Sequence, residues 1–142
     1  MLKTILLTSL FASSMATVSQ FTYKSCGDTN DIAQNVVLNV DPQLPQTDYT
    51  LFLDADMSRE VTQGTSYYKV TLNGIPVSTP TNDLCTEISN SNITCPLYQG
   101  HLAMQSKGTI PSGVSGKIVI TNDWVDTTSN QRVLCMQFTI RI

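Results

Sequence analysis

The chain has 142 residues, a formal net charge of −3 and only 13% charged residues. Its eight Lys and Arg residues are scattered and form no basic run. Because nucleic-acid binding depends on clustered cations that release counterions, this composition argues against a nucleic-acid partner. The net negative charge also disfavours electrostatic docking on anionic membranes at neutral pH. The length suits one domain once a leader is removed.

The N-terminus has the pattern of a secretory signal peptide. One early cation, Lys3, precedes an apolar stretch that is too short to span a bilayer, and small residues follow it. Cleavage after Ala16 or after Ser19 fits, so residues 1–19 are interpreted as the signal peptide and residues 20–142 as one domain. The mature protein is therefore expected to be secreted, or to reside in the endosomal or lysosomal lumen.

The four cysteines indicate a disulfide framework, since an even number in a small exported chain is typical of one. Three pairings are possible and the sequence alone does not choose among them, but the spacing favours Cys26–Cys135 and Cys85–Cys95. The longer link would stabilise the fold by roughly 4 kcal/mol in the chain-entropy model. Asn92 begins an N-glycosylation acceptor triplet, which agrees with export.

Short runs of alternating apolar and polar residues predict half-buried antiparallel strands. In the clearest run, Leu134, Met136 and Phe138 point to one face and Cys135 to the other. No window has a convincing helical stripe. We therefore predict an all-β fold, a two-sheet antiparallel β-sandwich. Trp124 lies too close to Cys135 for an antibody-type domain, so the sandwich is immunoglobulin-like only in outline.

The residues do not point to catalysis. His101 is the only histidine, and no G-x-S-x-G nucleophile motif occurs. Asp54, Asp56 and Glu60 form the only local acidic group, and they lack the later Gly and Glu of a calcium loop. We expect no enzyme activity, no metal and no cofactor; a hydrolase that uses paired carboxylates is the alternative.

Six segments in a fixed order carry a resemblance to a known family: residues 21–27, 74–80, 85–97, 110–111, 117–124 and 133–136. Together they resemble the ML (lipid-recognition) domain family, which includes phosphatidylglycerol/phosphatidylinositol transfer proteins and lysosomal Niemann–Pick-type sterol-transfer proteins. The resemblance implies an immunoglobulin-like sandwich of about seven strands with a lipid between its sheets. The sterol-transfer members have an additional early disulfide, whereas residues 41–45 contain no cysteine, which weakens the case for sterol.

The interior is expected to be either a filled core or a lipid cavity. Alternation alone favours the core, and the resemblance favours the cavity. At about 0.8 kcal/mol per methylene, such a cavity must replace on the order of 12 kcal/mol of burial for a 16-carbon chain. The expected lining residues are Leu51, Leu53, Tyr68, Val70, Leu72, Leu102, Met104, Ile118, Ile120, Met136 and Phe138.

Two loops are expected, by similarity, to flank the lipid entrance. Asn73-Gly74 signals a tight turn that leads into apolar residues, and a Gly-rich segment follows later in the chain. An ordinary hairpin and an ordinary connector are the alternative interpretation. The expected entrance residues are Ile75, Pro76, Val77, Ile110, Pro111 and Val114.

Three classes of function remain open. The favoured one is a lipid carrier that moves phosphatidylglycerol or phosphatidylinositol between membranes, with sterol as an alternative ligand. The others are a secreted lipid-recognition or interaction module and a hydrolase. The expected partners are a lipid ligand and, transiently, a membrane, and the protein is expected to be a monomer. Lys69, Lys107 and Lys117 are either contacts for an anionic head group or solvated surface residues.

Overall fold

The computed structural model describes residues 17–142, so most of the predicted signal peptide lies outside the described residues. Within this part of the chain there are nine strands and one short helix. Their bounds are β1 Gln20–Ser25, β2 Ala33–Asp41, β3 Asp48–Met57, β4 Gly64–Leu72, β5 Ile75–Ser78, β6 Thr81–Asp83, α1 Leu84–Ile88, β7 Gly100–Thr109, β8 Lys117–Asp126 and β9 Arg132–Arg141.

The strands form two antiparallel sheets. In the first sheet the order is β1-β9-β8-β4, and β5 and β6 pair with successive parts of the outer edge of β4. The second sheet has the order β2-β3-β7. The prediction of an all-β, two-sheet sandwich is confirmed. The strand number exceeds the expected seven because β5 and β6, of four and three residues, are short edge strands that lack an alternating pattern.

The core lies between the sheets, and strand alternation explains which residues enter it. In β3, Leu51 and Leu53 are buried while Phe52 between them is less so. In β9, Met136, Phe138 and Ile140 are buried in the same way. Since successive side chains of a strand point to opposite faces, each sheet contributes one apolar face to a common core.

Helix α1 was missed by the sequence pattern. Its N-cap is Asp83, whose side chain accepts a hydrogen bond from the backbone N–H of Thr86 at 2.9 Å. Leu84 and Ile88 are its buried residues. A five-residue helix is too short to show a helical stripe, which explains the miss. In residues 17–142, no helix is long and apolar enough to cross a membrane.

Two disulfides are present, and they are the two pairs that the spacing favours. Cys26 and Cys135 join the end of β1 to β9 within the first sheet, with Cα atoms 4.9 Å apart. Cys85 and Cys95 close a short loop that contains all of α1 except its first residue, with Cα atoms 5.4 Å apart. The first link ties the two ends of the domain together, and the second ties one local segment to itself.

The two long edges of the sandwich are closed differently. On one edge β1 meets β2, where the Tyr23 hydroxyl donates a hydrogen bond to Asn39 Oδ1 at 3.2 Å. On the other edge the gap between β4 and β7 is covered by residues 84–97, which we call the edge loop. It contacts β4 through α1, and the Gln105 N–H of β7 donates to Asn92 Oδ1 at 2.7 Å.

Two buried carboxylates stabilise the connections between strands at the end of the sandwich opposite the β4–β5 turn. Asp31 accepts a hydrogen bond from Arg132 Nε at 2.8 Å, and Asp126 accepts one from Arg59 Nη1 at 2.7 Å. Burial alone would raise the pKa of Asp126. Hydrogen bonds from the Ser129 hydroxyl, from Arg59 and from a backbone N–H outweigh it and hold that pKa below its ordinary value.

Candidate functional site: a cavity between the sheets

A cavity of about 260 Å³ lies between the two sheets. Its apolar wall comes from Leu51 and Met104 of the second sheet and from Ile120, Met136 and Phe138 of the first. The side chains of the two inner faces therefore do not interdigitate at the cavity, whereas they do in the rest of the core. The full lining is Tyr49, Leu51, Tyr68, Glu87, Ile88, Ser91, Met104, Ser106, Lys107, Gly108, Ile120, Asn122, Trp124, Met136 and Phe138.

One end of the cavity is formed by an aromatic ring over a glycine. Tyr49 of β3 lies opposite Gly108 of β7 in the strand register. A Cβ atom added to Gly108 would lie 2.3 Å from the nearest ring atom of Tyr49. Only glycine therefore leaves room for this ring, whose centroid is also 5.2 Å from that of Phe21. Burial raises the pKa of Tyr49, so its phenol stays neutral at physiological pH.

The other end of the cavity is a polar wall whose hydrogen bonds are satisfied within the protein. The Asn122 side chain donates to Ser66 Oγ at 2.8 Å and accepts from Trp124 Nε1 at 3.0 Å. Asn122 and Ser66 are both buried. Because buried polar groups are costly unless they are paired, this network stabilises the wall and offers little to a ligand.

A carboxylate lies in the cavity wall on the side of the edge loop. Glu87 of α1 is half-buried and lines the cavity together with Tyr68 of β4. The Tyr68 hydroxyl donates a short hydrogen bond to Glu87 Oε1, and Asn82 Nδ2 lies 3.4 Å from the same atom. Burial, followed by the bond to Glu87, raises the pKa of Tyr68. The phenol therefore keeps its proton and acts as a donor.

Six of the eleven residues expected to line a cavity do line it: Leu51, Tyr68, Met104, Ile120, Met136 and Phe138. The other five contribute to the packed part of the interior. Leu53, Leu102 and Ile118 are buried in the core, and Val70 and Leu72 pack against it.

Sequence reasoning missed nine of the lining residues. Five of them continue the alternation of inward-facing strand positions, which would have identified them: Tyr49, Ser106, Gly108, Asn122 and Trp124. Ser106, Gly108 and Asn122 are small or polar, so an expected lining built mainly from aliphatic residues does not include them. The aromatic residues Tyr49 and Trp124 stand at the ends of their alternating runs and are omitted as well. Glu87, Ile88 and Ser91 belong to the edge loop, which carries no strand pattern, and Lys107 lies on an outward-facing position of an edge strand.

None of the six residues expected at the entrance lines this cavity. Ile75 and Val77 are 67% and 57% exposed, and Pro76 and Pro111 are also exposed, whereas Val114 is half-buried. Ile110 is instead buried in the core at 7% exposure, and its N–H donates to the Thr47 carbonyl, so it is not an exposed apolar residue at the tip of the loop.

The two predicted entrance loops do lie side by side. The Asn73 N–H donates to the Lys117 carbonyl at 2.8 Å, and the Lys117 N–H donates to Asn73 Oδ1 at 2.9 Å. These bonds join the β4–β5 turn to the start of β8. The apolar residues of both loops are thereby gathered at the same end of the sandwich as Tyr49 and Gly108.

The remaining candidate residues lie on the surface. His101 Nε2 is 3.0 Å from Asp54 Oδ1, and both side chains are more than half exposed. Asn92 is exposed on the edge loop. Lys69 is exposed on β4, and Lys117 is half-buried at the start of β8.

Residues 20–142 match the family model of the ML domain. The chain belongs to the ML-domain family. A stretch of 81 residues is 27% identical to the proposed phosphatidylglycerol/phosphatidylinositol transfer protein 1 of Dictyostelium discoideum. That match covers 56% of this chain and 52% of the Dictyostelium protein, so the chain spans about half the length of this relative.

Two solved structures share the architecture. Chicken MD-1, solved with lipid IVa, superposes with a TM-score of 0.65 at 20% identity, covering 85% of this chain and 88% of that one. A Niemann–Pick type C2 protein from the Japanese carpenter ant superposes with a TM-score of 0.56 at 14% identity, covering 83% and 96%. At these identities the likeness establishes the fold.

Proposed function

We propose that this ML-domain protein is a soluble carrier that binds one phospholipid and moves it between membranes. The observation that carries the proposal is the cavity of about 260 Å³ between the sheets, with an apolar wall contributed by both. A sandwich selected for stability alone would fill this space, since protein interiors pack as densely as organic crystals. The compartment proposed is extracellular, or the lumen of endosomes or lysosomes, as the two disulfides favour.

Phosphatidylglycerol and phosphatidylinositol are the proposed lipids. The Dictyostelium relative, named for transfer of these lipids, supports this choice over sterol. Sterol is the alternative ligand, and a secreted recognition module is the alternative function. A protein that takes up lipid stoichiometrically but never delivers it to acceptor vesicles would be such a module.

The size of the cavity sets a condition on loading. A methylene group is similar in size to a water molecule, whose share of liquid volume is about 30 Å³. The 260 Å³ cavity therefore holds roughly nine methylenes, about half of a 16-carbon chain. A whole acyl chain requires the two sheets to separate or the edge loop to open, and we propose that the edge loop opens.

Membrane contact is proposed at the end of the sandwich where the two loops meet. Ile75, Pro76 and Val77 of β5 are exposed, and Pro111 and Val114 lie on the neighbouring loop. Exposed apolar residues gathered at one end suit shallow insertion between lipid head groups. They would hold the carrier at a membrane while the lipid passes.

The test is uptake of lipid by delipidated protein from vesicles of dioleoyl phosphatidylglycerol and phosphatidylcholine. The wild-type protein is expected to recover close to one phosphatidylglycerol per chain by mass spectrometry, and to unfold at a higher temperature when loaded. Recovery of protein without lipid would refute the proposed function.

A matched pair of substitutions on one strand face tests whether the cavity is the site. Ile120→Trp fills the cavity and is expected to abolish lipid uptake with little change in the free energy of unfolding. Ile118→Trp adds the same volume to packed core and is expected to destabilise by about 1–3 kcal/mol. Lipid uptake that survives Ile120→Trp would place the lipid elsewhere.

A further inference from the structure

Among the described residues that line the cavity, Glu87 contributes the only carboxylate. It projects from α1, at the point where the edge loop spans the two sheets, and it is half-buried. An acyl chain gains nothing from a carboxylate, and the desolvation of an anion is costly unless the anion is paired. The position of Glu87 therefore calls for an explanation that the apolar wall does not give.

The carboxylate has unused capacity to accept hydrogen bonds. An ionised carboxylate offers about four acceptor sites. The Tyr68 hydroxyl and the longer contact from Asn82 both go to Oε1. In the described part of the chain Glu87 forms no ion pair with Lys, Arg or His. The second oxygen therefore remains available for a ligand.

We propose that Glu87 accepts hydrogen bonds from the head group of the bound lipid and so selects head groups that carry O–H or N–H donors. Tyr68 is a positioning residue, because its hydroxyl fixes the carboxylate against the cavity wall. This inference rests on the proposed function and names the chemistry of the ligand. Charge-assisted hydrogen bonds are the stronger class, so a donor aimed at this oxygen is favoured over a head group without one.

The selectivity separates lipids that have the same charge. Phosphatidylglycerol and phosphatidylmethanol carry the same phosphodiester charge, but only the first has head-group hydroxyls. Phosphatidylethanolamine and phosphatidylcholine are both zwitterionic, but only the first has N–H donors. Comparing the two members of each pair therefore reveals whether the protein recognises hydroxyl donors or ammonium donors, without a change in the net charge of the lipid.

The experiment measures which lipid the delipidated protein extracts from vesicles that contain these four dioleoyl lipids in equal amounts. We expect the wild-type protein to extract the donor-bearing member of at least one pair preferentially. Glu87→Gln keeps the size of the side chain and an acceptor for Tyr68, but loses the charge. It is expected to reduce that preference about tenfold, which corresponds to 1.4 kcal/mol.

Glu60→Gln is the matched control, since Glu60 is exposed and outside the cavity lining. It is expected to retain the wild-type preference. Tyr68→Phe frees the carboxylate and is expected to reduce the preference, measured as the ratio of the two lipids of a pair that are extracted. A merely structural role of the hydroxyl would affect both members of a pair alike and leave this ratio unchanged. This variant decides the matter if Glu87→Gln does not fold.

The outcomes distinguish this inference from the proposed function. If wild-type protein extracts no lipid, the proposed function is wrong. If it extracts lipid and the preference is equal in wild type, Glu87→Gln and Tyr68→Phe, then lipid is carried but Glu87 does not read the head group. A wild-type protein without preference within either pair also overturns the inference.

Discussion

The Cys85–Cys95 disulfide closes the edge loop over the cavity, so its removal is expected to change lipid exchange more than it changes the fold. Glu87 and Ile88, which line the cavity, lie inside this covalent loop. If lipid enters where the edge loop spans β4 and β7, the rate of entry depends on how easily this loop opens. The double substitution Cys85→Ala/Cys95→Ala removes the link without leaving a reactive thiol.

The expected magnitude follows from the lengths of the two covalent loops. The sequence separations are 10 for Cys85–Cys95 and 109 for Cys26–Cys135. In the chain-entropy model the corresponding stabilisations are roughly 3 and 4–5 kcal/mol. Without the shorter link, opening of the edge loop as a disordered segment becomes easier by up to about 3 kcal/mol. Since 1.4 kcal/mol is a factor of ten, lipid exchange is expected to rise between about tenfold and 100-fold.

The assay follows transfer of fluorescent phosphatidylglycerol between donor and acceptor vesicles, and urea unfolding of each variant measures its stability. The control is Cys26→Ala/Cys135→Ala, which removes the longer link far from the edge loop. It is expected to lose more stability than the first variant and to gain less in exchange rate. Equal exchange rates in folded wild type and in Cys85→Ala/Cys95→Ala would show that the edge loop is not the route of entry.

Three further predictions concern the proposed membrane contact, the N-terminus and stability in acid. The double substitution Ile75→Asp/Val77→Asp should slow lipid pickup from vesicles several-fold, whereas Val37→Asp, at an equally exposed position on β2, should not. Equal pickup rates in the wild type and the double variant would refute membrane contact at Ile75 and Val77. N-terminal sequencing of the protein recovered after expression of the full chain in a secretory host should find Thr17 first. The free energy of unfolding should fall as the pH drops below about 4, the unfolded pKa of an Asp, and Asp126→Asn should remove part of this fall in pH-dependent urea titrations.

The contacts of Val18 and Ser19 favour one of the two cleavage sites that the sequence leaves open. Val18 is 2% exposed, and its backbone N–H and carbonyl are both bonded to the Gln46 side chain, at 2.9 and 3.0 Å. The Ser19 N–H donates to the Arg141 carbonyl at 2.8 Å. Cleavage after Ser19 would remove these contacts from the domain, whereas cleavage after Ala16 keeps them. A mature chain that begins at Gln20 would contradict this reasoning.

The sign of the pH prediction follows from the lowered pKa of Asp126. Hydrogen bonds from Arg59 and Ser129 favour its charged form in the folded state only. Their contribution is complete above the pKa of an Asp in the unfolded chain, about 3.9, and is lost as the pH falls through the lower pKa of the folded state. The protein should therefore keep this stabilisation at the pH of an endosome or lysosome. Loss of stability that begins near pH 6 would have to come from another group.

The sheets could be predicted from the sequence because period-two alternation has a direct physical meaning. Leu51 and Leu53 of β3, like Met136 and Phe138 of β9, had to share one face of a strand. The boundary between filled core and cavity could not be predicted in this way. Ile118 and Ile120 stand on the same face of β8, yet only Ile120 lines the cavity. Whether each side chain packs against the opposite sheet or faces the cavity depends on the local separation of the sheets and not on the strand pattern.

The part that the edge loop plays in the site could not be predicted from the sequence, although the Cys85–Cys95 link that closes the loop could. Its contribution to the site depends on Tyr68 and Glu87, which are 19 residues apart and meet only because β6 returns along the edge of β4. No local pattern encodes that meeting. The hydrogen bond between a strand and a five-residue helix depends on the tertiary arrangement of the sheet edge, so only the three-dimensional structure reveals it.

The free energy lost by leaving the cavity empty can be compared with the free energies gained from the two disulfides and from burial of a ligand. At about 24 cal/mol per Å³, a closed and dry void of 260 Å³ would cost at most roughly 6 kcal/mol, and this cavity costs less because it is partly open to solvent. That is comparable to the whole net stability of an ordinary domain, about 5–15 kcal/mol. The two disulfides together contribute roughly 7 kcal/mol, which is enough to offset it. The disulfides would therefore allow the protein to stay folded while the cavity is empty. If the proposed lipid binds, its burial replaces the contacts that the cavity lacks, so loading should change the free energy of unfolding by more than any single surface substitution does.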